Sequence, residues 1–268
     1  MQYVDSVCEL SMQSKGIPAI YQQIEKIAKV CTRSEHTIKE GTYTKCLSRL
    51  ISDSHFSPLE HGAVYLYYTE NYDISVYASS PYCVVRYYHH VYYITTNYRF
   101  IVENNLQSEL ENHWCGLNAY TEPYLTFKTR CAIEVYKDLT RHRTISPMVE
   151  STRFCSYIKE KFGKSISFMK PCWFDEIPDW WTKSLVEAEN SYFNALDKGL
   201  SAEKASYLLP QGVASWVYFS APLRYFKHFL DVRYNESTGP VRPDVKELTS
   251  KIYKIYNDIL KDKSILLQ

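Results

Sequence analysis

Residues 141–153 read Arg141-His142-Arg143-Thr144-Ile145-Ser146-Pro147-Met148-Val149-Glu150-Ser151-Thr152-Arg153. Three ionisable side chains stand in a row at its start. Successive helical residues are about 100° apart, so they reach in different directions. Such a cluster alone is often a solvated basic edge. Its company points further: Ser146, Glu150, Ser151 and Arg153 follow in one turn-rich segment, giving hydroxyl donors and a second planar guanidinium suited to a phosphate. If this stretch is extended, Ser151 and Arg153 share a side. Pro147 is expected to break regular structure, and the segment is placed at a helix-to-loop junction by a short helix over 133–140.

Working outward, helical spacing of apolar residues predicts helices over 17–30 and 43–51, joined by a polar stretch at 32–42. Strand-like runs occupy 63–68, 84–94 and 120–130, with a helix over 97–111 between the last two. An amphipathic helix is expected over 175–196 and another over 201–209, ended before Pro210. A strand over 213–219 leads to a helix opened by Pro222 and running to about 232; a final long helix covers 244–260. The expectation is a single α+β domain over 1–268, with a mixed or antiparallel sheet and long helices.

The chain has 268 residues, 45% of them hydrophobic, enough to bury a core without staples. Its formal net charge of +1 provides no overall field for DNA or an anionic membrane, so phosphate binding must come from local clusters. No nucleic-acid partner is expected. Eight scattered cysteines, with no CxxC pair and no zinc-type spacing, read as reduced thiols, and no metal is expected. No apolar run of about 18 residues exists to span a membrane. Many of the 25 tyrosines fall between Tyr65 and Tyr98. Such stripes usually mark sheet faces, with base stacking as the alternative.

Two further blocks carry candidate chemistry. In His55-Phe56-Ser57-Pro58-Leu59-Glu60-His61, Pro58 can open a helix or turn, Ser57 can cap it, and the exposed amides can hold an anion or a ring carbonyl. An ordinary cap with two satisfied histidines fits equally. In Arg224-Tyr225-Phe226-Lys227-His228-Phe229-Leu230-Asp231-Val232-Arg233, a straight helix puts Arg224 and His228 on one face. Arg233 lies half a turn away, since nine residues rotate the helix by about 900°. The two arginines should serve different groups, although Arg233 could also simply complement the helix dipole.

Together the blocks resemble the flavin-dependent thymidylate synthases, which carry H-x-[ST]-P-x-E-H, then RHR-x2-S-x4-S-x-R, then L-P, then an Arg-containing helix ending H/N-F-L-x-L-R. The matching positions are 55–61, 141–153, 209–210 and 224–233, with Val232 in place of the last Leu. From Pro210 to Arg224 is fourteen residues and from Arg224 to Arg233 nine, as in the family. Phe154-Cys155-Ser156-Tyr157 and the 239–248 segment GPVRPDVKEL also match. The resemblance covers most of 40–262, with an insertion at about 69–123.

The resemblance implies an FAD enzyme that uses NADPH and 5,10-methylenetetrahydrofolate to convert dUMP to dTMP without a cysteine nucleophile. It implies FAD contacts from Ser57, Arg141, His142, Arg143, Arg224 and His228. Glu150, Ser151, Thr152 and Arg153 would bind the pyrimidine deoxynucleotide, with Ser151 and Arg153 on its phosphate. Arg233, the catalytic candidate, would face the ring, where a fixed cation favours charge on the ring oxygens. It further implies a homotetramer with shared active sites, acting in the cytoplasm of a bacterium or a phage host. Three positions depart from the pattern: a family Glu or Gln falls on Val149, an Asn on Pro222, and a nucleotide-binding Arg on Ser206, for which Lys204 or Arg242 could substitute. The departures keep two alternatives open, a flavoenzyme modifying C5 of another pyrimidine nucleotide, for example by hydroxymethylation, and a non-catalytic homologue.

Overall fold

The structure, a computed structural model, describes residues 1–262. Strands β1 (Gln2–Val4) and β2 (Val7–Leu10) are followed by helices α1 (Ile17–Ala28) and α2 (Thr42–Ser52), then β3 (Ala63–Thr69) and α3 (Ser75–Ala78). Next come β4 (Val84–Tyr88), β5 (Val91–Asn97), α4 (Tyr98–Glu103), α5 (Gln107–His113), β6 (Tyr124–Ala132), α6 (Ile133–Leu139) and β7 (Ser146–Val149). The chain ends with β8 (Ser167–Met169), α7 (Asp179–Asp197), α8 (Ala202–Ala205), β9 (Ala214–Pro222), α9 (Leu223–Arg233) and α10 (Pro243–Lys261). This is the expected α+β class, with two antiparallel sheets, a short parallel pair of β1 with β8, and long helices. Among the described residues, no helix is long and apolar enough to cross a membrane.

A four-stranded antiparallel sheet, β2-β6-β9-β7, organises the molecule. Side chains alternate across it. Leu125, Phe127, Cys131, Val217, Phe219 and Ala221 join α6, α9 and α10 in a core on one face, through Val135, Leu139, Phe226, Phe229, Leu248 and Ile252. The intervening residues point the other way, where Met148 and Tyr218 pack on Ile27 and Val30 at the end of α1. A second core lies between α1, α2 and the three-stranded sheet β3-β5-β4, filled by Ile20, Ile24, Leu47, Val64, Leu66, Tyr68 and Ile94. Gly62 brings the backbone close to α1 there: a Cβ on it would lie 2.7 Å from Ile24 Cδ1 and 2.8 Å from Ile20 Cγ2.

Several expected elements are subdivided. The run 84–94 is a hairpin, because His89 and His90 take φ of 49° and 61° and fold the chain back after Tyr88. The helix expected over 97–111 is two, since Asn105 at φ 56° ends the first and Asn97 caps it through Phe100 N (3.1 Å). The 175–196 helix starts at Asp179, after Pro178, and 201–209 is the short α8 followed by a 3-10 turn. Pro147 does not break regular structure; it sits in β7, an edge strand, where a missing N–H is tolerated. The tyrosine stripe is a sheet: Tyr65 and Tyr68 are buried, while Tyr67, Tyr87 and Tyr88 face outward.

Candidate active site

Helix α6 delivers the chain to Arg141, and α9 runs beside it on the same side of the sheet. His142 packs its ring against Phe229 (centroids 4.9 Å apart) and lies 6.0 Å from His228. Arg233 closes the cluster by donating from Nε to His142 Nε2 (2.9 Å) and from Nη2 to the Asp138 carbonyl (2.8 Å). Burial, aided by Arg233 and His228, pushes the His142 imidazole down to about 4. It is neutral at physiological pH, and accepting at Nε2 places its proton on Nδ1. Arg141 and Arg143 flank it in the open, Arg141 lying 4.0 Å from Asp138.

Arg224 stands at the other end of α9, as the nine-residue rotation requires. Its backbone N–H donates to Glu122 Oε1 (2.9 Å), and its guanidinium is 3.8 Å from Glu122 Oε2. Glu122 is buried and also paired with Arg86, so it fixes the start of the helix. No sequence motif marks Glu122. Its partner is 102 residues away. Pro222, the last residue of β9, is buried and sets the turn into α9.

The second half of the motif is elsewhere. After β7 the chain turns at once: Phe154 N and Cys155 N both donate to the Ser151 carbonyl, at 3.2 and 2.9 Å. Ser151, Thr152 and Arg153 are therefore not extended, and Ser151 and Arg153 do not share a strand face. The competing force is the tertiary anchor from Ser151 N to the Cys31 carbonyl (3.0 Å), which draws this turn onto the end of α1. Arg153 is exposed and paired with Glu203 (2.9 Å), whose carbonyl accepts from Ser206 Oγ (2.7 Å). Thr152 is half-buried.

Glu150 turns inward. It accepts from Arg33 Nη1 (3.1 Å), Tyr157 OH (3.2 Å) and Trp216 N (3.4 Å), and burial outweighs Arg33 in pushing its carboxyl above the usual range. It is held by protein groups rather than presented to solvent. Val149 packs against the core under α6 and α9. Arg242 is paired with Glu134 and with Asp138 (3.5 Å), and Lys204 is exposed. Arg242 thus sits on the α6 side, away from Ser206.

Ser57 lies inside a 3-10 turn, Ser57–His61, and makes no side-chain cap; Pro58 opens that turn. It lines a recess of about 490 Å³ with Pro58, Arg99, Met148 and Phe154, beside the Ser151–Arg153 turn and not beside Arg141. His61 is buried. Its Nδ1 is 2.6 Å from Ser220 Oγ, which is 2.8 Å from Thr126 Oγ1, while its Nε2 has no hydrogen-bond partner. The two histidines of this block therefore differ, since His55 is exposed. Cys155 is buried, and desolvation pushes its thiol up to about 12, which leaves no reactive thiolate beside the motif. A recess of about 540 Å³ sits under α7; Trp173, Trp180 and Trp181 line it instead of joining the core.

The model of the family described as thymidylate synthase complementing protein matches residues 112–260, more than half of the chain, and begins within the last part of the 69–123 insertion. Flavin-dependent thymidylate synthase of Pyrococcus abyssi is 29% identical over 107 residues, covering 40% of this chain and 44% of that protein. Probable flavin-dependent thymidylate synthase of Paramecium bursaria Chlorella virus 1 is 21% identical over 153 residues, covering 53% and 69%. The chain thus spans less than half the length of the Pyrococcus relative. The crystal structure of a UMP/dUMP methylase PolB from Streptomyces cacaoi bound with 5-Br dUMP is 17% identical, with a TM-score of 0.47 over 96% of this chain and 93% of that one. With the match spanning α6, the 141–153 motif and α9, the chain belongs to the thymidylate synthase complementing protein family.

Proposed function

We propose that this chain is a flavin-dependent thymidylate synthase, which uses FAD, NADPH and 5,10-methylenetetrahydrofolate to methylate dUMP at C5. The observation that carries this reading is the Arg233–His142 hydrogen bond. It joins the motif loop to the last turn of α9, so the two blocks form one cluster.

The donor set fits a flavin dinucleotide. Arg141, Arg143 and Arg224 offer exposed guanidinia to a diphosphate, and neutral His142 with His228 offers flat, hydrogen-bonding surfaces to a ring system. FAD, when bound, supplies the redox chemistry that turns a one-carbon unit into a methyl group. The protein binds, orients and polarises. His142 and the Asp138 carbonyl occupy Nε and Nη2 of Arg233, which holds the guanidinium in one plane and leaves Nη1 for a substrate oxygen. A cation fixed there stabilises negative charge on the pyrimidine oxygens as C5 becomes nucleophilic. Ser151 and Arg153, with Ser57 nearby, form the nucleotide half.

These halves are separated within one chain, and this arrangement supports active sites completed by neighbouring copies in a homotetramer. One observation favours a second substrate: Val149, standing where the family has a polar side chain, is packed into the core. The reading is tested by incubating purified protein with FAD, NADPH, methylenetetrahydrofolate and either dUMP or dCMP, and identifying the products by mass. Thymidylate from dUMP is expected. A hydroxymethylated product, or turnover of dCMP alone, would replace it with a related C5-modifying reaction. Protein that neither contains nor takes up FAD would sink both.

A further inference from the structure

On the face of the four-stranded sheet turned away from α6 and α9, α1 covers only part of the surface. Beyond it, Trp216 on β9 stands opposite Arg130 on β6. Three cations approach its indole: Lys128 Nζ at 4.5 Å, Arg130 Cζ at 5.3 Å and Arg33 Cζ at 5.9 Å. Beside it, Phe162 has Lys161 Nζ at 5.1 Å and Arg33 Cζ at 5.8 Å. All of these but Lys128 line a recess of about 390 Å³, formed by Arg33, Arg130, Lys161, Phe162 and Trp216 with Glu150 and Tyr157.

The charges here are poorly compensated. Arg130 donates from Nε and Nη2 to the Asp5 carbonyl (3.2 and 3.0 Å), and Lys161 donates to the carbonyls of Thr32 (2.6 Å) and Arg33 (2.9 Å). Neither is in an ion pair among the described residues. Arg33 has two carboxylates close by, Glu150 at 3.1 Å and Glu35 at 4.0 Å, and Lys128 stands opposite Glu9 on β2. Like charges gathered at one concavity raise its potential and favour an anion. Several convergent donors match the multiple oxygens and double charge of a phosphate better than a single carboxylate. The rings add a stacking surface for a heteroaromatic base, and the recess volume is within the range of small-ligand pockets, about 300–1,000 Å³.

We infer that this recess is a binding site for a nucleoside monophosphate, with its phosphate among Arg33, Arg130 and Lys161 and its base against Trp216 and Phe162. It is distinct from the Ser151–Arg153 turn, and it requires no methyl transfer. Of its lining residues only Glu150 and Tyr157 belong to stretches that carry the family resemblance, and the two are hydrogen-bonded to each other beneath it.

Protein labelled with 5-fluorotryptophan provides the test, the Trp216 signal being assigned by its loss in Trp216→Phe. Titration with dUMP is expected to shift that signal saturably. Deoxyuridine should need at least a tenfold higher concentration, and inorganic phosphate should compete. Arg130→Gln/Lys161→Gln, which strips no buried carboxylate of a partner, should weaken the dUMP response at least tenfold at an unchanged melting temperature; Lys161→Gln alone serves as a milder second variant if the double one melts early. Arg153→Ala should leave the response intact. A Trp216 signal indifferent to dUMP, equal responses to dUMP and deoxyuridine, or a response abolished by Arg153→Ala would overturn the assignment.

Discussion

Arg141–Arg143 and Ser151–Arg153 are parts of one motif separated by the four-residue strand β7, yet they serve opposite faces of the same sheet. The first group is gathered by α9: His142 is pinned between Phe229 and Arg233. The second is drawn to the end of α1 by the Ser151–Cys31 hydrogen bond, and its one arginine is occupied by Glu203. The halves also differ in readiness. On the α9 side the guanidinium of Arg233 is positioned by two hydrogen bonds, whereas Arg153 is on the surface in a pair of little strength. Closeness in sequence therefore does not make these residues neighbours, and under the proposed function the better-organised half is the one expected to act on the ring.

That contrast can be broken most sharply at Arg233. Arg233→Ala should lower thymidylate formation about 100- to 1,000-fold, the usual scale for one preorganised donor at a developing charge, while flavin absorbance of the purified variant stays near that of the parent. Near-parent turnover would remove Arg233 from the ring. The two halves do share one trait, a neutral histidine, and this gives the next largest effect. His61, on the Ser57 side, is pushed by burial down to about 3. A folded-state value below the ordinary one means that the unfolded chain binds protons first, so this contribution to stability is complete above about pH 6.5 and lost as pH falls towards 3. Between pH 6.5 and 4.5 the parent should lose about 2–3 kcal/mol more than His61→Asn, about 5 °C in melting temperature. Parallel melting curves would exclude His61 as the source.

The smaller effects concern the nucleotide half. Ser206→Arg restores a charge where the family has one and frees Arg153 by engaging Glu203. Isothermal titration should show dUMP binding about tenfold more tightly, the scale of one charge-assisted contact. Glu203→Gln only releases Arg153, and an improvement of about two- to fivefold is expected, as for an exposed ion pair. If neither changes dUMP affinity, the Ser151–Arg153 turn does not hold the phosphate.

The long periodic helices and the strands β3, β6 and β9, though not their pairing, were legible in the sequence because spacing and apolar content are local. The half-turn between Arg224 and Arg233 was legible for the same reason: helix geometry alone sends one to Glu122 and the other to His142. What escaped was set by distant partners or unusual turns. Two histidines at positive φ form a hairpin turn usually made by Asn-Gly. Glu150 looks like a ligand in the motif but is taken by Arg33, 117 residues earlier. The turn at Ser151 depends on Cys31, which no spacing rule connects to it.

The proline in β7 has a consequence for what can dock on this border of the sheet. An edge strand normally displays a row of free donors and acceptors that can template another strand. Here that margin is only four residues long, and Pro147 deletes a donor within it. Continuous sheet growth is blocked at this border, so anything that docks there is recognised by side chains and loop surfaces, which sequence change can retune without rebuilding the sheet.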